Sequence, residues 1–351
     1  MSKKENVVLC GTIRIKNNGQ IVERTKRGWK KSTKKFPEAE EVIRLFKAHK
    51  NIKQLIDNKN PQFLKGQLSP KQQIQGARIV FLPNGKQLDK GYSLFATHLK
   101  IHDQDSEDHW DVIFQNIGST WAYCYTLEKK KYHQNNKYKK VQQFEKIYPK
   151  LTRNVTQALR DNNDQLAVPM YTLLKTKMRI GNEIYYKAHR HKGLTTLKKK
   201  DVKIEGNKVI FNYIAKDGVP RLIEQKFPTT YIKRLKNNLK SLKENQFVFA
   251  SETGHPLKEQ QFKKSFLRYC GKEFYPHIVR SYYATSKVKE FIKNKKKITK
   301  EEMQKLFFSL AATLGHKKFI KKEQQWKDNY YVTINHYVQP RLVEKINSLV
   351  K

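Results

Sequence analysis

Apolar and polar residues alternate with a period of two in parts of the first 130 residues and follow a helical period over most of the remainder. Within residues 4–24 the run VVLCGTIRIKNNGQIVER reads as a short hairpin turning at Asn18-Gly19, a dipeptide suited to tight hairpin turns. Residues 37–56 place Val42, Ile43, Leu45, Phe46 and Ile52 behind Pro37, a residue that fits a first helical turn. Pro61, Gly66 and Pro70, with Gly76 just beyond, interrupt the pattern, so 57–75 is expected to be a linker or exposed loop. A strand-like run, ARIVFLPNGKQL, turns at Pro83-Asn84-Gly85, and 92–128 carries Trp110, Trp121, Tyr123 and Tyr125. Residues of about 75–130 therefore read as a small domain with sheet.

From about residue 143 the rhythm is helical. The stretch 151–178 predicts two helices broken near Asp161–Asn163. Residues 208–226, KVIFNYIAKDGVPRLIEQK, predict a hairpin around Asp217-Gly218. Helices resume near 229–244, 257–271 and 277–293. Thr299 with Glu302 forms a capping box before MQKLFFSLAATL, which ends at Gly315, and a last helix covers about 338–350. The expected class is α+β, in three parts: an N-terminal extension over 1–74, a small α+β domain over 75–142, and a mainly helical domain over 143–351.

Composition adds a partner. The chain has 351 residues, 73 Lys+Arg and 31 Asp+Glu, for a net charge of +42 spread along its whole length. A surface that positive repels itself until an anion neutralises it, and nucleic acid is the natural polyanion because each neutralised phosphate releases counterions. Eighteen Phe and eighteen Tyr argue against a disordered chain. No run approaches the roughly 20 apolar residues that span a bilayer, and MSKKENVVLCG lacks the apolar core of a secretory signal. Cys10, Cys124 and Cys270 lie far apart, with neither metal-ligand spacing nor a disulfide framework, which fits a reducing compartment. Neither a Walker-type loop nor GxGxxG occurs, which argues against a nucleotide-driven engine.

Several residues could handle a phosphodiester. Lys216, just before Asp217-Gly218, is either a solvated turn lysine or a proton donor carried on an arm toward a leaving alkoxide. Arg179 and Arg280 offer planar donor forks suited to phosphate oxygens, although a chain this basic has many arginines. His316, after the capping Gly315, is placed to donate to a phosphate oxygen. Tyr337, in INHYVQPRLVEKI, is either a packed aromatic or a nucleophile that stores bond energy in a phosphotyrosine. The basic, aromatic-interleaved run TLEKKKYHQNNKYKK serves equally as a phosphate clamp or a solvated loop.

Together these residues carry a family resemblance. The run RIGNEIYYKAHRHKGLTTLKKKDVKIEGNKVIFNYIAKDGV, 179–219, strongly resembles the type IB DNA topoisomerases, especially their compact viral and bacterial forms. Arg280, LGH at 314–316 and a tyrosine in Y-x-x-P follow in the family's order. The resemblance covers about 80–351 and is firm from about 145. It implies a mostly helical, tyrosine-recombinase-like catalytic domain with a small hairpin sheet, behind a smaller N-terminal domain that clamps DNA. It further implies that Arg179, Arg280 and His316 surround the scissile phosphate, that Lys216 is the general acid for the 5′ oxygen, and that Tyr337 forms a 3′-phosphotyrosine. The implied partner is double-stranded DNA, held by a monomer clamped around the duplex and without a membrane. Neither ATP, a divalent metal nor another cofactor is implied, and the implied compartment is wherever DNA is present.

Four departures stand out. The basic, glycine-containing signature of the bacterial forms' small domain is poorly kept around 127–141. Ala215 replaces the usual Gly of the hairpin turn. His277 precedes Arg280 where compact topoisomerases usually carry Lys and tyrosine recombinases carry His, which keeps a site-specific recombinase as the alternative. Finally, KKFIKKEQQWKD reads as a basic loop inserted between His316 and Tyr337, leaving Tyr330 and Tyr331 as weaker nucleophile candidates. A non-catalytic DNA-binding protein is the third possibility.

Overall fold

The computed structural model describes residues 8–102, 109–116 and 120–351, and its chain divides into two compact units between Asn136 and Lys137. The N-terminal unit opens with strands β1 (Ile13–Ile15), β2 (Ile21–Thr25) and β3 (Gly28–Lys31), then helix α1 (Pro37–Ala48). The short strands β4 (Gln67–Leu68), β5 (Ile74–Gln75) and β6 (Ile79–Phe81) follow, and β7 (Gln87–Tyr92), β8 (Thr97–Ile101), β9 (Val112–Gln115) and β10 (Trp121–Cys124) complete it. They form an antiparallel sheet in the order β3-β2-β1-β4-β5, a β6-β7 pair and a β10-β9-β8 sheet. The Asn18-Gly19 turn joins β1 to β2 as expected, with the Gly19 amide donating to the Lys16 carbonyl (2.8 Å).

Two expectations for this unit change. Residues 57–75 are not a linker: Phe63, Leu64 and Leu68 are buried, and the segment supplies β4 and β5. The expected border at 74/75 also falls inside one core, where Ile13, Ile15, Phe46 and Leu64 pack with Ile79, Leu82, Tyr92 and Val112. The apolar side chains between Pro61 and Pro70 outweigh the turn-forming residues around them, because burying each contributes about 1.5–3 kcal/mol.

Helix α2 (Leu127–Ala158) is continuous across the division between the units, so helix begins well before residue 143. Its lysines and glutamines are good helix formers, and Glu128 sits in its first turn, where the helix dipole favours an acid. Tyr138, Val141, Phe144, Leu151 and Val155 form its buried stripe. The C-terminal unit continues with α3 (Ala167–Thr176), α4 (Glu183–His189), the antiparallel sheet of β11 (Val202–Glu205), β12 (Lys208–Ile214) and β13 (Pro220–Lys226), and then α5 (Thr229–Lys240), α6 (Glu259–Cys270), α7 (Ile278–Ile292) and α8 (Lys300–Leu314). Strands β14 (Lys317–Ile320) and β15 (Gln325–Asp328) pair antiparallel, and α9 (Tyr331–Tyr337) and α10 (Pro340–Leu349) close the chain. The insertion after His316 is thus a β-hairpin, not a loop.

The chain is α+β, with the sheets concentrated in the N-terminal unit and helices dominating the C-terminal one. Two cores meet along α7. Its first turn, Ile278 and Val279, joins the core of α3, α5 and α6, while Ala284, Val288 and Ile292 pack with Phe307, Leu310 and Ile346 of α8 and α10. Arg280 lies at this junction. No described helix is long and apolar enough to cross a membrane.

Candidate active site

Arg179 is fixed through its backbone. Its carbonyl accepts from the Leu194 amide (2.7 Å), and the neighbouring Ile180 carbonyl accepts from the Thr195 amide (2.7 Å) and hydroxyl (3.0 Å). Those contacts bring Gly181 and Gly193 together. A Cβ on Gly193 would lie 2.6 Å from both the Arg179 carbonyl oxygen and the Gly181 nitrogen, closer than real Cβ atoms come. Two runs that are separate in sequence, R-I-G-N-E and G-L-T-T-L, are therefore halves of one close backbone approach that holds a half-buried arginine.

Arg280 is buried on the first turn of α7. It donates to the Lys177 carbonyl (2.6 Å), the Leu314 carbonyl (2.8 Å) and His316 Nε2 (3.1 Å). Lys177 caps α3 in the left-handed region (φ 55°), which turns its carbonyl out of the helix. A guanidinium is donor-only, so His316 Nε2 must accept; the imidazole proton then sits on Nδ1 and is donated to Thr333 Oγ1 (2.7 Å). Burial pulls Arg280 down to about 10, an effect that the Tyr337 phenol opposes and Arg179 reinforces.

His316 follows Gly315 directly. Gly315 takes φ 72° at the end of α8, and the Arg221 side chain lies where its Cβ would be, 2.6 Å from the guanidinium carbon. Arg221 in turn donates to the Ala312 and Thr313 carbonyls (2.8 and 2.9 Å), tying β13 to the last turn of α8. Neither Arg221 nor Thr333 is expected from the sequence, since both act through contacts made only in the fold.

Lys216 stands exposed in the five-residue connection 215–219 between β12 and β13, and it makes no hydrogen bond or ion pair among the described residues. Ala215 sits there in extended backbone (φ −86°, ψ −177°), so the usual glycine is not required at this position. The left-handed residues are Asp217 and Gly218 (φ 65° and 78°).

Tyr337 is the last residue of α9. Pro340 begins α10 and forces Gln339 before it into extended backbone, which stops one helix and starts the next. The buried Tyr337 ring lies 4.7 Å from the His316 ring, 5.0 Å from the His277 ring and 5.1 Å from the Arg280 guanidinium. Side chains grip the backbone on either side. Lys137 donates to the His336 carbonyl, Thr285 to the Tyr337 carbonyl (3.2 Å) and Tyr138 to the Val338 carbonyl (2.6 Å). Tyr330 packs on Phe307 and Phe308, and Tyr331 is exposed.

Arg179, Lys216, Arg280 and His316 line one cavity of about 140 Å³, together with Lys192, Arg221 and Lys317. Lys192 is paired with Asp201 (2.7 Å), and among the described residues Asp217 is the one carboxylate on the lining, so the cavity favours an anion. Tyr337 is not on that lining; its ring packs against two of the groups that are. Among the described residues no group of three or more His, Cys, Asp and Glu is arranged to hold a metal ion.

The same charges depress both imidazoles. Burial, then the positive charges of Arg280, Arg179 and Arg221 and of His277, lower His316 to about 3. Desolvation of the His277 ring, which packs on Tyr337, then Arg280, Arg179, Lys137 and Lys216, lower it to about 3 as well, although the residue as a whole is exposed. Unfolded histidines titrate near pH ~6.5, so between that pH and about 3 the unfolded chain binds protons that the native chain refuses. The contribution of these two imidazoles to stability is therefore fully present above pH ~7 and is lost as the pH falls through this window. The denaturant midpoint of the full chain should fall steadily from pH 7 to 4, and less steeply in His277→Gln; an equal slope in the two proteins would contradict the assignment.

The catalytic-core model of the family described as eukaryotic DNA topoisomerase I matches residues 126–339, more than half of the chain. The chain belongs to this family. The topoisomerase I core match takes in Arg179, Lys216, Arg280, His316 and Tyr337 with their partners from Lys137 to Val338, and ends one residue before Pro340. No curated protein matches the chain by sequence. Among solved structures, the XerH site-specific recombinase bound to difH substrate in a pre-cleavage complex is 15% identical over 48% of this chain and 44% of that one, with a TM-score of 0.32. The same recombinase on palindromic difH substrate in a post-cleavage complex is 18% identical over 40% of each chain, with a TM-score of 0.31. The matched stretches span less than half the length of those recombinase chains.

Proposed function

We propose that the chain is a type IB DNA topoisomerase. It relaxes supercoiled duplex DNA by cutting one strand through a 3′-phosphotyrosine and rejoining it, with neither ATP nor a metal ion. The observation that carries this reading is the convergence of Arg179, Lys216, Arg280 and His316 on one cationic cavity, against the ring of Tyr337. In this reading the Tyr337 oxygen attacks phosphorus and the bond to the 5′ oxygen breaks. The phenol gives its proton to water and Lys216 gives one to the departing oxygen, so the net charge of the step balances. Religation is the same path reversed, and torsional strain in the DNA supplies the drive.

The two arginines supply fixed donors for the charge that builds on the non-bridging oxygens. His316 has to change state to join them, because in the free protein it is neutral and accepts from Arg280 at Nε2. A phosphodiester in the cavity brings negative charge that raises the imidazole's proton affinity. The imidazolium then donates from Nε2 to the phosphate while Nδ1–H stays on Thr333. Thr333 is in this account a positioning residue that keeps the ring in plane.

A site-specific tyrosine recombinase is the second reading, favoured by His277, whose ring lies beside Tyr337 and which stands three residues ahead of Arg280. One experiment separates the readings. Supercoiled plasmids lacking any extended recognition site are incubated with the protein, EDTA and no ATP. The proposal expects a ladder of relaxed topoisomers from each plasmid; the recombinase reading expects relaxation or joining only with paired specific sites. Absence of relaxation on every plasmid would overturn the proposal.

A further inference from the structure

The hairpin inserted between His316 and Tyr337 has no part in the chemistry above, yet it forms a wall of the same cavity. Lys317 and Trp326 line it with Lys216 and His316, and Trp326 reaches within 4.0 Å of the point where a Cβ on Gly218 would lie, beside the Lys216 turn. The base of the hairpin is closed by the Asn329 amide donating to the His316 carbonyl (2.9 Å). The strand register separates two faces. Lys317 and Asp328, directly opposite each other, share the cavity-side face with Phe319 and Trp326, whose rings pair at 5.3 Å. Lys318 and Lys327 stand directly opposite each other on the other face, and Lys321 and Lys322 occupy the turn.

This arrangement is unfavourable for the protein alone. Like charges directly across a strand pair destabilise it, and a lone two-stranded hairpin has little stability to spare. Glu323 pairs with Lys327 (2.5 Å), but Lys318, Lys321 and Lys322 are exposed and form no ion pair among the described residues. An anion running past the hairpin removes that cost. We propose that β14–β15 is a phosphate-gripping flap that binds the sugar–phosphate backbone of duplex DNA next to the reacting phosphate, without reading sequence. The occupant is duplex backbone because the hairpin rises from the cavity wall at Lys317 and Trp326, and its free cations, on the outer face and at the turn, are lysines, which act as point charges on phosphate passing beyond the cavity. The inference rests on the DNA-cleaving reading of that cavity.

The test replaces Lys318, Lys321 and Lys322 together by glutamine, in exposed positions that leave the folding core untouched. Duplex affinity is measured against salt in a Tyr337→Phe background, and adduct formation at saturating DNA in the Tyr337 protein. The slope of log affinity on log salt should fall by about 0.9 for each phosphate that is no longer neutralised, up to roughly 2.7 for all three, while the adduct rate stays within about threefold. The deficit should vanish on duplexes trimmed on one side of the cleavage point. If the parent binds and cuts but the triple variant has the same salt slope, the flap proposal fails alone. If the parent neither binds duplex in a salt-dependent way nor forms an adduct, the DNA reading fails and the flap with it.

Discussion

Tyr337→Phe is expected to leave duplex DNA bound but uncut. The substitution removes one oxygen and keeps the ring, so the packing against His316, His277 and Arg280 is retained, as is the grip of Lys137, Thr285 and Tyr138 on carbonyls 336–338. Affinity comes from phosphate neutralisation by a chain of charge +42 and does not depend on that hydroxyl. Loss of a covalent nucleophile costs on the order of 10⁶ in rate, so adduct formation should fall below detection. Duplex affinity should stay within about twofold, since a change that removes no cation leaves counterion release intact. A Phe variant that still forms a denaturation-resistant adduct would move the nucleophile elsewhere, with Tyr330 and Tyr331 the first residues to examine.

Lys216→Ala should slow cleavage by about 10²–10⁴, the usual contribution of a positioned acid. Its amine is exposed on a turn with no ionic partner among the described residues, so its loss should leave stability nearly unchanged. The decisive arm uses DNA with sulfur in place of the 5′-bridging oxygen. A thiol has a pKa near ~8.5, so the thiolate departs without help and the variant should approach wild-type speed. An equally slow variant on the sulfur substrate would remove Lys216 from the acid's role and leave it as a phosphate contact.

What the sequence reveals about this fold is what lies within one hydrophobic period or one turn. The Asn18-Gly19 hairpin, the Thr299–Glu302 capping box and the Gly315 stop are local patterns, and each forms close to where it is predicted. Thr299 accepts from the Glu302 amide at 3.2 Å and its own amide donates to Glu302 at 2.9 Å. The β14–β15 hairpin carries no such signal, because its turn has no Gly, Asn or Pro; Gln324 takes the left-handed conformation instead (φ 52°). The early start of α2 is masked by lysines, which suit a solvated loop as well as an exposed helix. The segment 57–75 looks like a linker because its prolines and glycines punctuate the few side chains that it buries.

The candidate site is legible as residue types in order, and only as that. Its supporting contacts span large separations: Arg221 to the end of α8 across about ninety positions, and Tyr138 to Val338 across 200. No window of sequence contains both partners of such a bond. Gly181 and Gly193 are an intermediate case, since both glycines are visible but the close approach that needs them appears only when the two runs are brought together.

The identity of the residue that becomes joined to DNA tests the account most directly. Cleaved DNA trapped on the protein should be digested with trypsin and the attached peptide sequenced. The attached peptide should be the one that ends at Arg341, with the DNA 3′ phosphate on Tyr337. Attachment through another tyrosine, through a serine, or through a 5′ phosphate would contradict it.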